Sequence, residues 1–343
     1  MNYINPLLRN LENNKKKYAF QTGSDENLAI SIKNFNHKIL NIPHQYNFIN
    51  HIFSSIFLSD FLELLCDFDN NIFSLKKTNP KCIITIEGNS PQDIIALEVA
   101  KKISIPCFCI QQGWAPLIHN GFRNMDFTEY FVWGKEFQNL LEKYNPKQRF
   151  IVTGSPYLSN LKSYKKIDKL KTISFFLQDV SPLINRKAFL KFFELIILCS
   201  EKFPELNIIV KEHPSSKLHN NFKFKLSTRK NITFYNGKST NLNEILDYTD
   251  ITLSIFSTVI LESIAKEKVP VICSFSSIPR YMPYIVENKC AIEIFNINDA
   301  LEIIKKFISK PQELNVYTKN IAKIKDNLFQ KTNACKIITN RIS

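Results

Sequence analysis

From residue 81 onward, short apolar runs rich in β-branched residues alternate with stretches of helical periodicity. Cys82–Glu87 is an apolar run that stops at Gly88, and Gln92–Lys102 then places apolar residues at helical spacing. Parallel strands need a crossover of about a dozen or more residues, usually a helix, and this spacing meets that requirement. The alternation therefore predicts an α/β fold with parallel sheets.

The alternation falls into two blocks, and 343 residues suit two domains of ordinary size. Lys162–Lys171 lies between the blocks, is charged and has no strong apolar period, which predicts an interdomain linker. We therefore predict two Rossmann-like doubly wound domains facing across a cleft, at residues 1–161 and 172–343. A long last helix, from about Glu313 to Ile342, has the option of crossing back to the first domain.

The predicted strands share an apolar centre and a polar or glycine stop. They are Cys82–Glu87, Cys107–Gln111, Tyr130–Trp133, Arg149–Thr153, Thr172–Leu177, Asn207–Lys211, Ile232–Tyr235, Ile251–Ile255, Val269–Ser274 and Ala291–Phe295. The other predicted helices are Lys135–Lys143, Arg186–Lys202, Leu242–Tyr248, Ser257–Lys266 and Asp299–Lys310. Before residue 81 the pattern is weaker and predicts strands at Leu28–Ile32 and Lys38–Ile42 and a helix at His51–Phe68.

Several nucleotide-binding and hydrolytic motifs do not occur in the sequence. Neither GxGxxG nor GxxxxGK[ST] is present, which argues against a dinucleotide oxidoreductase and a P-loop NTPase. No GxSxG nucleophile motif is present either. The carboxylates are too scattered to indicate a metal site, so we expect no bound metal.

The chain carries 45 basic and 31 acidic residues, a formal net charge of +14. The lysines are spread over helices and loops instead of clustering with aromatic residues, which argues against nucleic-acid binding. Solvated helix faces account for most of the charge. The favoured explanation for the rest of the positive charge is contact with an anionic substrate or with an anionic membrane surface.

None of the eight cysteines forms a CxxC pair, and most lie in apolar runs. This pattern is typical of small buried side chains in a reducing compartment. The N-terminal residues Met1–Lys17 are polar, and no segment has the roughly 18 apolar residues of a membrane span. We therefore expect a cytoplasmic protein, with the option of peripheral contact at the inner membrane face.

His213 and Pro214 follow the predicted strand Asn207–Lys211. Proline ends the strand and keeps the preceding residue extended. At the carboxyl edge of an α/β sheet, the imidazole is a candidate to contact a ligand phosphate. The alternative is a hydrogen-bonded histidine in a turn. His119 and His219 are predicted to lie in loops.

Ser257 and Thr258 open a predicted helix directly after the strand that contains Ser254. They are candidates to hold a phosphate through their hydroxyls and the helix-start amides, although ordinary N-capping explains them too. Glu262 lies one helical turn beyond Thr258 and is a candidate to accept hydrogen bonds from a ribose. An exposed helix glutamate is the favoured alternative for Glu262.

Glu87 ends a predicted strand and is followed by Gly88, which allows close backbone approach. Burial beside apolar strands would raise the pKa of this carboxyl towards neutral pH, which suits a general base acting on a hydroxyl. A carboxylate that caps the next helix is the equal alternative. Asp93 and Asp126 are fallback candidates for the base.

The segments Gln111–Trp114 and His119–Asn124 contain two of the seven glycines of the chain, Gly113 and Gly121. A scarce residue used twice in one loop favours a shaped backbone. Gln112, Gly113 and His119 are candidates for acceptor binding, and Arg123 is a candidate to bind an anionic group. An ordinary surface loop is the alternative.

Three short motifs together resemble those of bacterial sialyltransferases of the GT-B fold. They are Glu87-Gly88, His213-Pro214 and Ser257-Thr258, in that order. The middle region, with Gln111–Gly113, Val132–Gly134 and Thr153–Pro156, looks like capsule Kdo transferases and CDP-glycerol glycerophosphotransferases. The acidic motif here has one carboxylate where the family often has two, which leaves the base less well defined.

The resemblance implies an inverting, metal-independent glycosyltransferase of surface-polysaccharide biosynthesis. Its donor would be a CMP-linked sugar such as sialic acid or Kdo, its acceptor a glycan or glycolipid, and it would need no other cofactor. Glu87 would be the base, and His213 would hold or protonate the donor phosphate. Donor binding would use Pro214, Ser254, Ser257, Thr258 and Glu262 in the second domain, and the first domain would bind the acceptor.

Three alternatives stay open at this point. A CDP-glycerol-type glycerophosphotransferase and a UDP-N-acetylglucosamine 2-epimerase-like enzyme would share the fold. A non-catalytic partner in polysaccharide assembly would keep the fold but lose Glu87 or His213. Both residues are present, which favours an enzyme.

Overall fold

A computed structural model describes most of the chain. The described residues are 5–14, 19–22, 38–41, 68–69, 72–73, 75–113, 122–158, 167–181, 184–214, 218–237, 241–255, 257–275 and 284–342. They divide into two compact units, one with residues up to 113 together with 122–158 and 327–342, and one with residues 167–326. The predicted strand Leu28–Ile32, the predicted helix His51–Phe68 up to its last residue, and His119 lie outside the described residues.

The strands alternate with helices along most of the chain. The strands are β1 (Ala19–Thr22), β2 (Lys38–Asn41), β3 (Ile83–Ile86), β4 (Cys107–Ile110), β5 (Glu129–Val132), β6 (Phe150–Val152), β7 (Thr172–Phe176), β8 (Asn207–Lys211), β9 (Ile232–Tyr235), β10 (Ile251–Ser254), β11 (Val269–Cys273) and β12 (Ile292–Ile294). The helices are α1 (Asn5–Asn13), α2 (Pro91–Lys102), α3 (Lys135–Glu142), α4 (Arg186–Lys202), α5 (Asn220–Ser227), α6 (Leu242–Tyr248), α7 (Val259–Ala265), α8 (Tyr284–Glu287), α9 (Ile297–Ser309), α10 (Leu314–Leu328) and α11 (Ala334–Ile342).

The first unit contains a four-stranded parallel sheet in the order β3-β4-β5-β6. Both faces of such a sheet are covered, which explains why β4 and β5 are buried along their whole length. Helix α1 packs against α11 through Leu7, Leu8, Leu11 and Ile338. β1 and β2 form a separate parallel pair.

The second unit contains a six-stranded sheet in the order β9-β8-β7-β10-β11-β12, and every neighbouring pair is parallel. Numbered from its own first strand, this order is 3-2-1-4-5-6, the order of the Rossmann fold. Its core joins the sheet to α4, for example through Phe175 and Phe192, whose ring centres are 5.7 Å apart. The order reverses between β7 and β10, and the carboxyl ends of these strands form the topological switch point.

The predicted single helix from Glu313 to Ile342 is wrong. A 3₁₀ turn is followed by α10 and α11, with a break between Leu328 and Ala334. Phe329 is buried and its ring centre lies 5.9 Å from that of Trp133, while the Gln330 amide donates to the Trp133 carbonyl at 2.9 Å. These contacts with the end of β5 replace helical hydrogen bonds and bring residues 327–342 into the first unit.

The close approach of this returning segment depends on Gly134. A Cβ atom at Gly134 would lie 2.2 Å from the Asn327 carbonyl oxygen and 2.3 Å from that of Leu328. Arg341 then donates to Glu129 at 2.7 Å, and Thr339 donates to Asn10 at 2.8 Å. The first and the last described helices therefore belong to one unit.

Part of the predicted linker is packed instead of free. Leu170 is buried, and the backbone of Ile167 exchanges two hydrogen bonds of 3.0 Å with the Asn315 side chain. Residues 167–171 thus belong to the second unit.

Seven cysteines are described, all with free thiols; five are buried, whereas Cys82 and Cys335 are half-buried. Within the described ranges, no helix is both long and apolar enough to cross a membrane.

Candidate functional site

Glu87 directly follows β3 with a backbone φ of 72°, in the left-handed region that non-glycine residues rarely adopt. The Tyr130 hydroxyl donates to the Glu87 carbonyl oxygen at 2.7 Å, and the Glu87 amide donates to the Ile110 carbonyl at 2.9 Å. Backbone strain of this kind persists only where neighbours enforce it, and it clusters at functional sites. The contacts fix Glu87 at the carboxyl edge of the first sheet.

The pKa of the Glu87 carboxyl is raised to about 7, chiefly because burial disfavours its charged form. The Gly113 amide donates to Oε1 at 3.2 Å and opposes this rise, whereas the nearby charge of Asp93 adds to it. A carboxyl with a pKa near 7 takes up and releases a proton at neutral pH, as a general base must.

The alternative that Glu87 caps the following helix is wrong, because Ser90 and Asp93 form the capping box of α2. Ser90 donates to the Asp93 carboxylate through its amide at 3.1 Å and through its hydroxyl at 2.7 Å. Asp126 is exposed and pairs with Lys101 at 3.0 Å. Neither fallback carboxylate combines the strained backbone and the sheet-edge position of Glu87.

Gln111 organises the loop beside Glu87, a role that the sequence analysis did not assign to it although it lies in the Gln111–Gly113 motif. Its buried side chain accepts from the Trp133 amide at 2.9 Å and donates to the Gly113 carbonyl at 3.0 Å. These hydrogen bonds fix the position of Gly113, whose amide contacts Glu87. The sequence signal for this role is a glutamine at the end of a wholly apolar strand.

The candidate acceptor-binding residues differ in their surroundings. Gly113 contacts Glu87, and the Gln112 carbonyl accepts from the Tyr157 hydroxyl at 3.2 Å. The exposed Arg123 guanidinium lies 4.6 Å from the centre of the Tyr144 ring, a cation–π contact. The structure therefore brings Gln112 and Gly113 to the Glu87 edge and gives Arg123 an aromatic partner.

In the second unit, Ser254 ends β10 at the switch point and is buried. Helix α7 begins at Val259, two residues later than predicted. The Ser257 hydroxyl accepts from the Val259 amide at 3.3 Å, whereas the Thr258 side chain makes no capping hydrogen bond. Ser257 therefore supports the helix start, and the Thr258 hydroxyl is not used for capping.

The expectation that Glu262 is an exposed helix residue is wrong. Glu262 is 3% exposed, because α7 is buried from Ile260 to Ala265. Burial raises the pKa of Glu262 to about 8. Among the described residues, its Oε2 atom has no hydrogen-bond partner. A buried polar atom without a partner is rare and calls for an explanation such as a ligand.

His213 lies just beyond β8 and is exposed. Partial desolvation lowers its pKa, Asp179 raises it, and Lys211 lowers it further, with a net shift downwards. The imidazole is therefore mainly neutral at pH 7 and can donate one hydrogen bond to a phosphate oxygen. His219, expected in a loop, caps α5, a helix that the sequence did not predict.

A cavity of about 230 Å³ opens beside the ends of β7 and β8. Its walls include Leu177, Leu218 and Phe222, and Asp179 and Arg186 supply charge. The carboxyl edge of the second sheet thus offers both apolar surface and polar groups. Among the residues that the structure describes, no group of three or more His, Cys, Asp or Glu side chains could hold a metal ion.

Comparison with known proteins gives matches in structure only. No protein-family model and no curated protein matches the sequence. The UDP-GlcNAc 2-epimerase from Neisseria meningitidis, solved with bound UDP-GlcNAc, matches with a TM-score of 0.66 and 15% identity over 99% of this chain and 95% of that chain.

Two glycosyltransferase structures match over a similar length. The calicheamicin glycosyltransferase has a TM-score of 0.66 and 10% identity over 99% of this chain and 93% of that one. MurG from Acinetobacter baumannii has a TM-score of 0.60 and 11% identity over 99% of this chain and 95% of that one. The matches show that the chain has the GT-B fold, which confirms the predicted fold class of two parallel-sheet α/β units.

Proposed function

We propose that this chain is an inverting, metal-independent glycosyltransferase that uses a nucleotide sugar and a glycan or glycolipid hydroxyl. The observation that carries the proposal is Glu87, a strained glutamate at a strand end whose pKa of about 7 suits a general base. The motif order Glu87, His213 and Ser257 supports the transferase reading.

Glu87 would remove the proton from the acceptor hydroxyl as its oxygen attacks the anomeric carbon. The bond between that carbon and the phosphate oxygen breaks, and the nucleotide leaves with the bonding electrons. His213 would donate a hydrogen bond to the phosphate, whose charge would in turn raise the lowered pKa of the imidazole. Attack opposite the leaving group inverts the anomeric configuration.

The second unit would bind the donor at its switch point, where doubly wound sheets bind nucleotides. Glu262 supports this role, because its buried and unpartnered Oε2 atom could pair with a ribose hydroxyl. Ser254, Ser257 and Thr258 would contact the phosphate. The motif resemblance favours a CMP-linked sialic acid or Kdo as donor. Glycerophosphate transfer from CDP-glycerol is the alternative reaction.

A second candidate function is a UDP-N-acetylglucosamine 2-epimerase. It is favoured by structural neighbours that are such epimerases, two of them solved with UDP-GlcNAc. An epimerase acts on its nucleotide sugar without a glycan acceptor, whereas a transferase needs both. This difference separates the two functions in one assay.

The test begins with calorimetric titration of CMP, CDP and UDP. CMP-sialic acid, CMP-Kdo, CDP-glycerol and UDP-GlcNAc are then incubated with and without a panel of bacterial glycans. Acceptor-dependent release of nucleotide supports transfer. Conversion of UDP-GlcNAc to its 2-epimer without acceptor establishes the epimerase instead, and nucleotide binding without any turnover supports a non-catalytic partner.

A further inference from the structure

Two neighbouring charged side chains are buried at the end of β8. Lys211 is 6% exposed and Glu212 is 4% exposed. Burying an ionised group is costly unless hydrogen bonds and opposite charges compensate. Both side chains meet that condition through the backbone of two loops, and neither has a role in the donor contacts described above.

Glu212 binds two other segments of the chain to the end of β8. Its carboxylate accepts hydrogen bonds from the amide of Leu218 and from the amide of Gly237 at 3.1 Å. Lys223 adds an ion pair at 3.3 Å. Burial on its own raises the pKa of Glu212, but these donors outweigh it and the net shift is downwards. The carboxylate is therefore ionised at neutral pH.

Lys211 holds the turn after β9. Its Nζ atom donates to the carbonyl oxygens of Asn236 at 3.2 Å and Gly237 at 3.0 Å. Gly237 is thus bound through its carbonyl by Lys211 and through its amide by Glu212. The turn also lies directly against His213, because a Cβ atom at Gly237 would lie 2.3 Å from the His213 carbonyl oxygen.

We propose that Lys211 and Glu212 are positioning residues that, together with Gly237, hold His213 at the sheet edge in the place needed to contact the donor phosphate. We call these three residues the β8 clamp. The contacts of the clamp are observed independently of any function, whereas its role in phosphate binding rests on the proposed function. The charges are kept inside the protein because they attach two loops to one strand end.

The main test is Glu212→Gln, with Glu205→Gln as control, since Glu205 is an exposed glutamate just before β8. Glutamine keeps the size of the side chain but turns an amide donor towards one of the two backbone donors. The His213 imidazole signal is followed by NMR during a pH titration and assigned with His213→Gln. Calorimetry measures the affinity for CMP and UDP.

For Glu212→Gln we expect the pKa of His213 to rise towards its ordinary value of 6.5, because a looser loop is better solvated. Asp179 and Lys211, whose charges act on His213, remain in place. Nucleotide affinity should fall about tenfold or more, since small displacements of a positioned group are costly. Glu212→Asp, which keeps the charge, should recover part of both effects.

A lower unfolding temperature with an unchanged His213 titration and unchanged affinity would overturn the proposal, because Glu212 would then serve stability alone. If Glu212→Gln does not fold, Gly237→Ala tests the same contact with both charges intact. An unmoved His213 signal in that variant also overturns the clamp. If the wild-type protein binds no nucleotide, the proposed function fails, while the His213 titration still decides the clamp.

Discussion

Glu87 in the first unit and Glu262 in the second are both glutamates whose pKa is raised by burial, yet their surroundings differ. Glu87 is half-buried, has a strained backbone and accepts a hydrogen bond from Gly113. Glu262 lies in a regular helix, is almost completely buried, and its Oε2 atom has no partner among the described residues.

The difference shows that a raised pKa alone does not define a catalytic role. Glu87 is accessible enough to exchange protons, with a pKa of about 7 that allows both forms at neutral pH. Glu262, with a pKa of about 8, is mainly protonated there and can both donate and accept one hydrogen bond. The first arrangement suits a base, and the second suits a binding group that a ligand hydroxyl would satisfy.

The largest expected effect comes from Glu87→Gln. Loss of the base should lower turnover by about 10² to 10⁴, while nucleotide affinity measured by calorimetry stays unchanged. In the wild-type protein, kcat/KM should rise with pH through about 7, because only the deprotonated carboxylate accepts a proton.

Asp126→Asn, which changes an exposed carboxylate of the same unit, is the control and should keep full turnover. A Glu87→Gln protein with wild-type turnover and the same pH profile would show that Glu87 is not the base, and the proposed difference in role between Glu87 and Glu262 would be wrong.

Substitutions of Glu262 should have an intermediate effect on binding and an opposite effect on stability. Glu262→Leu removes the proposed ribose contact and should weaken nucleotide binding by about tenfold, whereas Glu262→Gln keeps one donor and one acceptor and serves the stability test. The folded-state pKa of Glu262 lies above its unfolded value of 4.5, so the native protein loses stability as pH rises between 4.5 and about 8. This loss has an upper limit of about 1.4 kcal/mol per pH unit.

A neutral glutamine avoids that loss. Chemical denaturation should therefore find Glu262→Gln more stable than wild type at pH 8, with the difference shrinking towards pH 4.5. Glu244→Gln, at an exposed position of α6, should show neither effect. A Glu262→Leu protein with unchanged affinity would mean that the buried carboxyl has no ligand role.

Tyr130→Phe should have the smallest effect. It removes the hydroxyl that holds the strained Glu87 carbonyl and should lower stability by about 1 kcal/mol. Turnover should fall less than in Glu87→Gln, and nucleotide affinity should not change.

Tyr248→Phe, at a position that is 77% exposed, is the matched control. A Tyr130→Phe protein with full turnover would show that backbone strain at Glu87 does not matter for its role.

From residue 81 onward the sequence predicted the strands and most helices, because each of these strands is a short apolar run that ends at a polar or glycine residue, whereas α1, β1, α5 and α8 were not predicted. Ser254 and His213 could be placed at strand ends, and Ser257 at a helix start, on the same basis. The order of the strands could not be read in this way, since pairing depends on contacts between distant segments. The switch point between β7 and β10 therefore emerged only from the structure.

The errors have related physical causes. Glu262 has a charged side chain, which sequence rules place at the surface, but α7 is packed on all sides. The break after Leu328 follows from contacts of Phe329 and Gln330 with Trp133, nearly two hundred residues away in sequence. Lys211 and Glu212 looked like the polar end of a strand, and their partners at Leu218 and Gly237 were not visible.

The return of residues 327–342 to the first unit has a consequence for the order of folding during synthesis. Helix α1 is made before the second unit, whereas its partner α11 is made after it. The described part of the second unit comes from one stretch, residues 167–326, and can complete its sheet while the first unit still lacks its closing helix. The unit that is begun first is therefore finished last, and a nascent chain stalled before Ala334 would expose the apolar side of α1.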